Sequence, residues 1–168
     1  MKNPIIKSIL IIIFGFLFSS QTSISAEKNL QKCREFSSIG LHLPAIEQCQ
    51  KAMRDGVNRE AELELLYYLA NSYSSINKNK LAKEAITKLL NASPSISAND
   101  YYLAGLIEIK LNNNKEAIFY LEKAILGEPN SISIKRQLAR ALFQTGDTRN
   151  AMSLIHISST TRRRGNSN

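Results

Sequence analysis

A positional echo constrains this chain more than its composition does. Ala82, Ile86 and Pro94 return 35 residues later as Ala117, Leu121 and Pro129. Ala70 returns as Gly105 at the same interval, and Ala117 returns as Ala151 after 34. Within a period, apolar residues recur three and four apart: Leu63, Leu66, Leu69, Ala70, Tyr73, then Leu81, Ala85, Ile86, Leu89. That spacing is a helical stripe, and no stretch alternates with period two for long. Asn77-Lys78-Asn79-Lys80 separates the two stripes, and Asn91-Ala92-Ser93-Pro94 ends the second. A period of this length holding one helix–turn–helix marks a solenoid, whose hairpins bury their apolar faces only by stacking.

The echoed residue types follow from how two helices meet. Antiparallel helices joined by a short turn approach closely only where side chains are small. Ala70, Gly105 and Ala139 are therefore expected to face Ala82, Ala117 and Ala151. A larger side chain there would wedge the pair apart. Leu66, Tyr73, Ile86, Tyr101 and Leu121 fill the space beside that contact, and Pro94 and Pro129 stop the second helices.

Leu66-x-x-Leu69-Ala70-x-x-Tyr73 with Ala82, Ile86 and Pro94 resembles the tetratricopeptide repeat (TPR) family. So does Tyr101-x-x-Ala104-Gly105 with Ala117, Leu121, Ala124 and Pro129, which departs at Glu108, where an aromatic is usual. A third unit runs Leu138-Ala139-x-x-Leu142, Gly146-Asp147, Ala151, Ile155, with Lys135 in place of a large residue. A degenerate unit precedes them: Cys33, Phe36, Gly40, Ala45, Cys49, Ala52. The resemblance implies an all-α, right-handed helical-hairpin solenoid of about four TPR-like units. Its repeat domain would span 27–157, with hairpins near 27–54, 60–92, 97–126 and 132–157.

Residues 1–26 are expected to be a signal peptide. Lys2 and Lys7 precede the apolar run Ile9–Phe18, and Ser23-Ile24-Ser25-Ala26 gives a small-residue exit. The run is well short of the roughly 20 apolar residues of a membrane span. A cut after Ser25 and an uncleaved anchor are the alternatives. The mature chain is thus expected in the periplasm or secreted, with no stable membrane span. From Glu27 to Glu128 acids and bases balance, 13 of each. Beyond, Lys135, Arg136, Arg140, Arg149, Arg162, Arg163 and Arg164 face Asp147 alone. That asymmetry favours an acidic partner, and export argues against nucleic acid. Residues 158–168 form a polar, basic tail expected to be disordered. No closing proline or polar capping helix follows Ala151, so a partner holds the last helix or the chain is the front part of a longer protein.

With two His and two Cys, a multi-Cys/His metal domain is out of reach, and no metal or cofactor is expected. His42 and His156 lack ligand neighbours, and His42 is expected as a solvated turn residue. No nucleophile elbow, phosphate-cradling loop or paired-His motif occurs. Glu60, Glu62 and Glu64 are expected at a helix start, where carboxylates favour the dipole. No catalytic residue emerges, and the chain is expected not to be an enzyme. Cys33 and Cys49 lie eight residues either side of Leu41. Gly40-Leu41-His42-Leu43-Pro44 reads as a hairpin turn, Gly40 closing one helix and Pro44 opening the next. Folding there brings the sulfurs to facing sides, and an oxidising compartment would join them in a disulfide. Two buried free thiols are the alternative.

In the family resembled, the first helices of the hairpins line a concave face that holds peptides or extended protein segments. Stepping four residues along each places Tyr67 with Asn71, Tyr102 with Leu106, and Arg136 with Arg140 on that face. Aromatics followed by an arginine pair suit an extended ligand carrying carboxylates. A solvated helix face with incidental tyrosines is the bland reading. Two function classes stand. One is a non-enzymatic protein-interaction scaffold binding an extended or acidic segment. The other is a periplasmic assembly module of an outer-membrane or envelope biogenesis factor, lacking its C-terminal domain. Neither fixes the oligomeric state.

Overall fold

The computed structural model describes residues 24–154, over which the chain forms α-helices and no strand. The helices are α1 (24–38), α2 (His42–Asp55), α3 (Arg59–Ser75), α4 (Asn79–Ala92), α5 (Ala98–Lys110), α6 (Asn114–Gly127), α7 (Ile132–Gln144) and α8 (148–154). Most of the expected signal peptide, His156 and the tail at 158–168 lie outside the described residues. The chain divides into two compact units, Met1–Ser72 and Tyr73–Asn168, the boundary falling inside α3.

In the first unit, α1 and α2 form a hairpin closed by a left-handed residue, Gly40, at φ 76°. A side chain is strained in that conformation, and glycine takes it freely. The Leu41 amide donates to the Phe36 carbonyl across the turn at 2.8 Å. Cys33 and Cys49 are fully buried and bonded, with Sγ atoms 1.96 Å and Cα atoms 5.1 Å apart. Leu30, Ala45, Ala52 and Leu65 are buried with them. The turn is shorter than the sequence suggests. His42 is the first residue of α2 and is half-buried, so it is not a solvated turn residue, and Pro44 stands third in the helix rather than first. Residues 24–26, at the expected exit of the signal peptide, are helical. Ser25 and Asn29 donate to Asp55 Oδ2 at 2.7 and 2.8 Å, and Ala26 is buried.

In the second unit, α5 packs against α4, α6 and α7, and α6 against α7. Its core joins Ile109 and the small or branched residues Ala117, Leu121, Ala124, Ile134, Leu138, Ala139, Leu142 and Ala151. Helix α5 starts at a reciprocal cap, in which Ser97 Oγ accepts from the Asp100 amide while Asp100 accepts from the Ser97 amide. This satisfies two amides that a helix start leaves without partners. Helices α4 and α6 end two residues before Pro94 and Pro129, because the residue ahead of a proline is pushed out of helical geometry.

Gly105 is where the close approach is tightest. A Cβ there would stand 2.6 Å from Leu121 Cγ and 3.4 Å from the Ala117 carbonyl oxygen. Leu121 is itself fully buried and has no room to retreat. Gly105→Ala gains about 1 kcal/mol of helix propensity but forces an overpacked contact costing roughly 1–3 kcal/mol, so a net loss of stability is expected. Leu121→Ala alone should cost about 2–5 kcal/mol. Urea unfolding should find the double variant more stable than the two single losses add up to, by more than about 0.5 kcal/mol. Strict additivity would show that the two residues do not share this space.

Candidate interaction site

The structure distributes the six expected groove residues over both units. Tyr67 and Asn71 lie a turn apart on α3 in the first unit, where the Tyr67 ring meets that of Tyr68 edge-on at 6.0 Å. Tyr102 and Leu106 lie on α5 and are half-buried, while Arg136 and Arg140 lie exposed on α7. Within the second unit, Tyr102 and Arg136 feel one another. Burial pushes the Tyr102 hydroxyl above its ordinary range, and the positive charge of Arg136 opposes that rise.

Arg136 and Arg140 also border an open pocket of about 510 Å³, shared with Ala139, Phe143, Gln144, Ala151 and Met152. Positions 136, 140 and 143 follow helical spacing along one face of α7. Phe143 and Met152 are 64% and 65% exposed, and the pocket wall is almost wholly apolar, so Arg136 and Arg140 border it through their aliphatic stems with the guanidinium groups at its rim. Sequence reasoning missed both apolar residues. Phe143 was visible as the residue three beyond Arg140, but which face it presents depends on how α8 folds back against α7. Among the described residues no acidic side chain lines this pocket, so a carboxylate at its rim would meet the arginines without a competitor there.

Two further carboxylates work as structural ties. Glu64 accepts both Arg34 Nε and Nη2 at 2.6 Å, a two-pronged bond between α3 and α1. The Arg34 hydrogen bonds hold the Glu64 carboxyl below its usual range, and burial partly opposes them. Tyr68 beside it is pushed up, by burial first and then by the Glu64 charge. Glu60 and Glu62 do sit in the first turn of α3, but Glu64 serves α1. Glu108, which breaks the repeat pattern, is only 4% exposed. It accepts from Lys83 Nζ on α4 at 2.9 Å and from Asn113 Nδ2 at 2.7 Å. The buried carboxylate is therefore paired, and it joins α4, α5 and the turn into α6. Among the described residues no group of three or more His, Cys, Asp or Glu is placed to hold a metal ion, and no helix is long and apolar enough to cross a membrane.

Hairpins that stack on small-residue crossings and leave helix faces open define a helical-repeat module. The tetratricopeptide repeat family matches residues 63–96 and 101–130, so the chain carries tetratricopeptide repeats over those segments. In fold it is similar to MamA from Desulfovibrio magneticus RS-1, at 20% identity and TM-score 0.74 over 84% of this chain and 78% of that one. A second MamA crystal structure aligns at 21% identity and TM-score 0.73, covering 83% and 80%. YrrB, described as a TPR protein with an unusual peptide-binding site, aligns at 22% and 0.68, covering 79% and 66%. These likenesses establish the solenoid fold. No curated protein matches the chain by sequence.

The Glu64 tie predicts a pH signature. A carboxyl whose folded pKa is lowered contributes stability above its unfolded pKa, and that contribution is lost as pH falls through the carboxylate range. The pair is about a third exposed, so solvent screening limits it to about 1 kcal/mol. Glu64→Gln should lower the thermal midpoint at pH 7 by about 2–5 °C. The gap from the unaltered protein should close as pH drops below about 4. A gap constant from pH 7 to pH 3 would contradict the assignment.

Proposed function

We propose that this protein is a non-enzymatic interaction scaffold, exported to the periplasm or beyond, that holds an acidic segment of a protein partner on its second unit. The pocket at α7 and α8 carries the reading: an apolar floor bordered by Arg136 and Arg140, with no acidic side chain in its lining among the described residues. A partner segment with one bulky apolar residue flanked by Asp or Glu fits that chemistry. The apolar side chain fills the space beside Phe143 and Met152, and the carboxylates meet guanidinium groups that bind them in pairs. Tyr102, within the field of Arg136, adds a half-buried aromatic ring toward Leu106 on the same helix. The peptide-binding site named for YrrB belongs to that protein, and it supports peptide binding here by analogy of fold alone.

On an array of extended peptides, the retained sequences should combine acidic residues with a Leu, Phe or Met anchor. Arg136→Ala with Arg140→Ala should weaken their binding about tenfold or more at low salt, and less at high salt, since each charge-assisted contact is worth about 1.5–3 kcal/mol before screening. Both side chains are exposed, so the variant should keep its helicity. Unchanged affinity in a folded double variant would remove the pocket from the reading.

Export rests on Lys2, Lys7, the short run Ile9–Phe18 and the small-residue exit, and the buried Cys33–Cys49 bond suits an oxidising compartment. N-terminal sequencing of the exported protein should begin at Ala26 or Glu27. Exported material that retains Met1 would contradict a cleaved signal.

A further inference from the structure

The first hairpin turn differs from the other three in a way that turn geometry does not require. Each turn has one left-handed residue: Gly40, Asn77, Asn112 and Gly146, at φ 76°, 60°, 61° and 87°. Aligned on that residue, the next position holds Lys78, Asn113 and Asp147 in the later turns but Leu41 in the first. Three places on, Lys80, Lys115 and Arg149 correspond to Leu43. One place before, Ile76 and Leu111 are half-buried, whereas Ile39 is 62% exposed. Leu41 and Leu43 are 46% and 66% exposed, so three aliphatic side chains crowd one solvent-facing tip. The later turns show that the same backbone closes with polar residues at the places of Leu41 and Leu43. The apolar tip therefore has another cause.

From Phe36 to Ile46 no Asp, Glu, Lys or Arg occurs, and Glu47, just beyond, pairs with Lys51 at 2.7 Å. The tip is thus matched to a surface without net charge. Its backbone is equally prepared to lose water. The amides of Ile39, Gly40, Leu41, His42 and Ala45 all donate to carbonyls between Glu35 and Leu41, Pro44 has no amide hydrogen, and the Ser38 hydroxyl donates to the Glu35 carbonyl. Of the amides from 39 to 45, that of Leu43 alone has no protein acceptor among the described residues. Entering an apolar medium leaves few orphaned donors, which is the main cost of inserting a loop. The Cys33–Cys49 bond ties the two helices behind the turn and so holds the two ends of the tip together.

We infer that the Ile39–Leu43 tip docks on an uncharged lipid surface, inserting three aliphatic side chains at the interface without spanning it. A protein pocket would be the other occupant of such a tip. Internal satisfaction of every backbone donor from Ile39 to Ala45 except the Leu43 amide favours lipid, because a protein pocket offers hydrogen-bond partners of which this loop needs one.

The chain has no tryptophan, so Leu41→Trp gives the full protein a single reporter at the tip. With vesicles of pure phosphatidylcholine, its emission should shift to the blue and be quenched at least twofold by brominated acyl chains. Lys78→Trp, at the corresponding place of the second turn, should show neither change, which separates tip insertion from binding through any other part of the chain. Adding Leu43→Lys, which copies Lys80 and Lys115 and so suits the turn, should lower the quenched fraction about tenfold, the loss expected for one buried leucine. The response should be equal in low and high salt. Absence of quenching at position 41, equal quenching at position 78, or quenching that needs anionic lipid and vanishes in salt would each overturn the inference.

Discussion

In the second unit α5 and α6 come closest where Gly105 meets Leu121, and nearly as close where Gly127 at the end of α6 meets Ala98 at the start of α5. Leu121 fills the volume that a Cβ at position 105 would occupy, and the missing side chain lets α5 and α6 approach there. Ala117 and Ala124 lie buried along the same seam, and Leu138, Ala139 and Ala151 continue one apolar interior into α7 and α8. Dispersion and hydrophobic burial do the stabilising, but both depend on contact distance, and a gap of even half an ångström forfeits much of the first. The small residue thus acts through what it lets its neighbours do.

Polar ties complement this packing where it is thin. The first unit has a bonded cysteine pair and the Arg34–Glu64 bond between α1 and α3. The second has Glu108, nearly buried yet supplied with a cation and an amide. A buried carboxylate without such partners would cost several kcal/mol, so the site is tolerable only because Lys83 and Asn113 reach it together. Lys110 adds a bond from its ammonium to the Ser74 carbonyl at 2.6 Å. Of these, the partly exposed Arg34–Glu64 pair fixes geometry more than it adds stability.

The helices, the repeat period and the small-residue crossings were legible in the sequence because each is a local periodicity, written within some 35 residues and repeated. Gly105 against Ala117 was readable for that reason. Glu108 was seen only as a departure, because its partners come from 25 residues before and 5 after, and no period links them. The pocket at α7 and α8 was half legible. Arg136 and Arg140 stood out by charge, and they do border a pocket, but its apolar floor depends on α8 folding back to set Met152 beside Phe143. The turn around Gly40 was located correctly to within two residues. His42 was misread because a histidine beside glycine and proline looks solvated, whereas helix α2 begins there and half buries it.

The two kinds of contact in the second unit differ in what they can be copied into. Gly105 and Leu121 belong to one hairpin, so a duplicated hairpin carries its own spacing rule wherever it is placed. Lys83 and Glu108 belong to successive hairpins, α4 and α5, so their bond exists only when those two are neighbours in that order. Shuffling the hairpins would preserve every internal crossing and yet strand a nearly buried carboxylate without its cation. The first contact makes each hairpin portable; the second gives the array a grammar, in which this hairpin must follow that one.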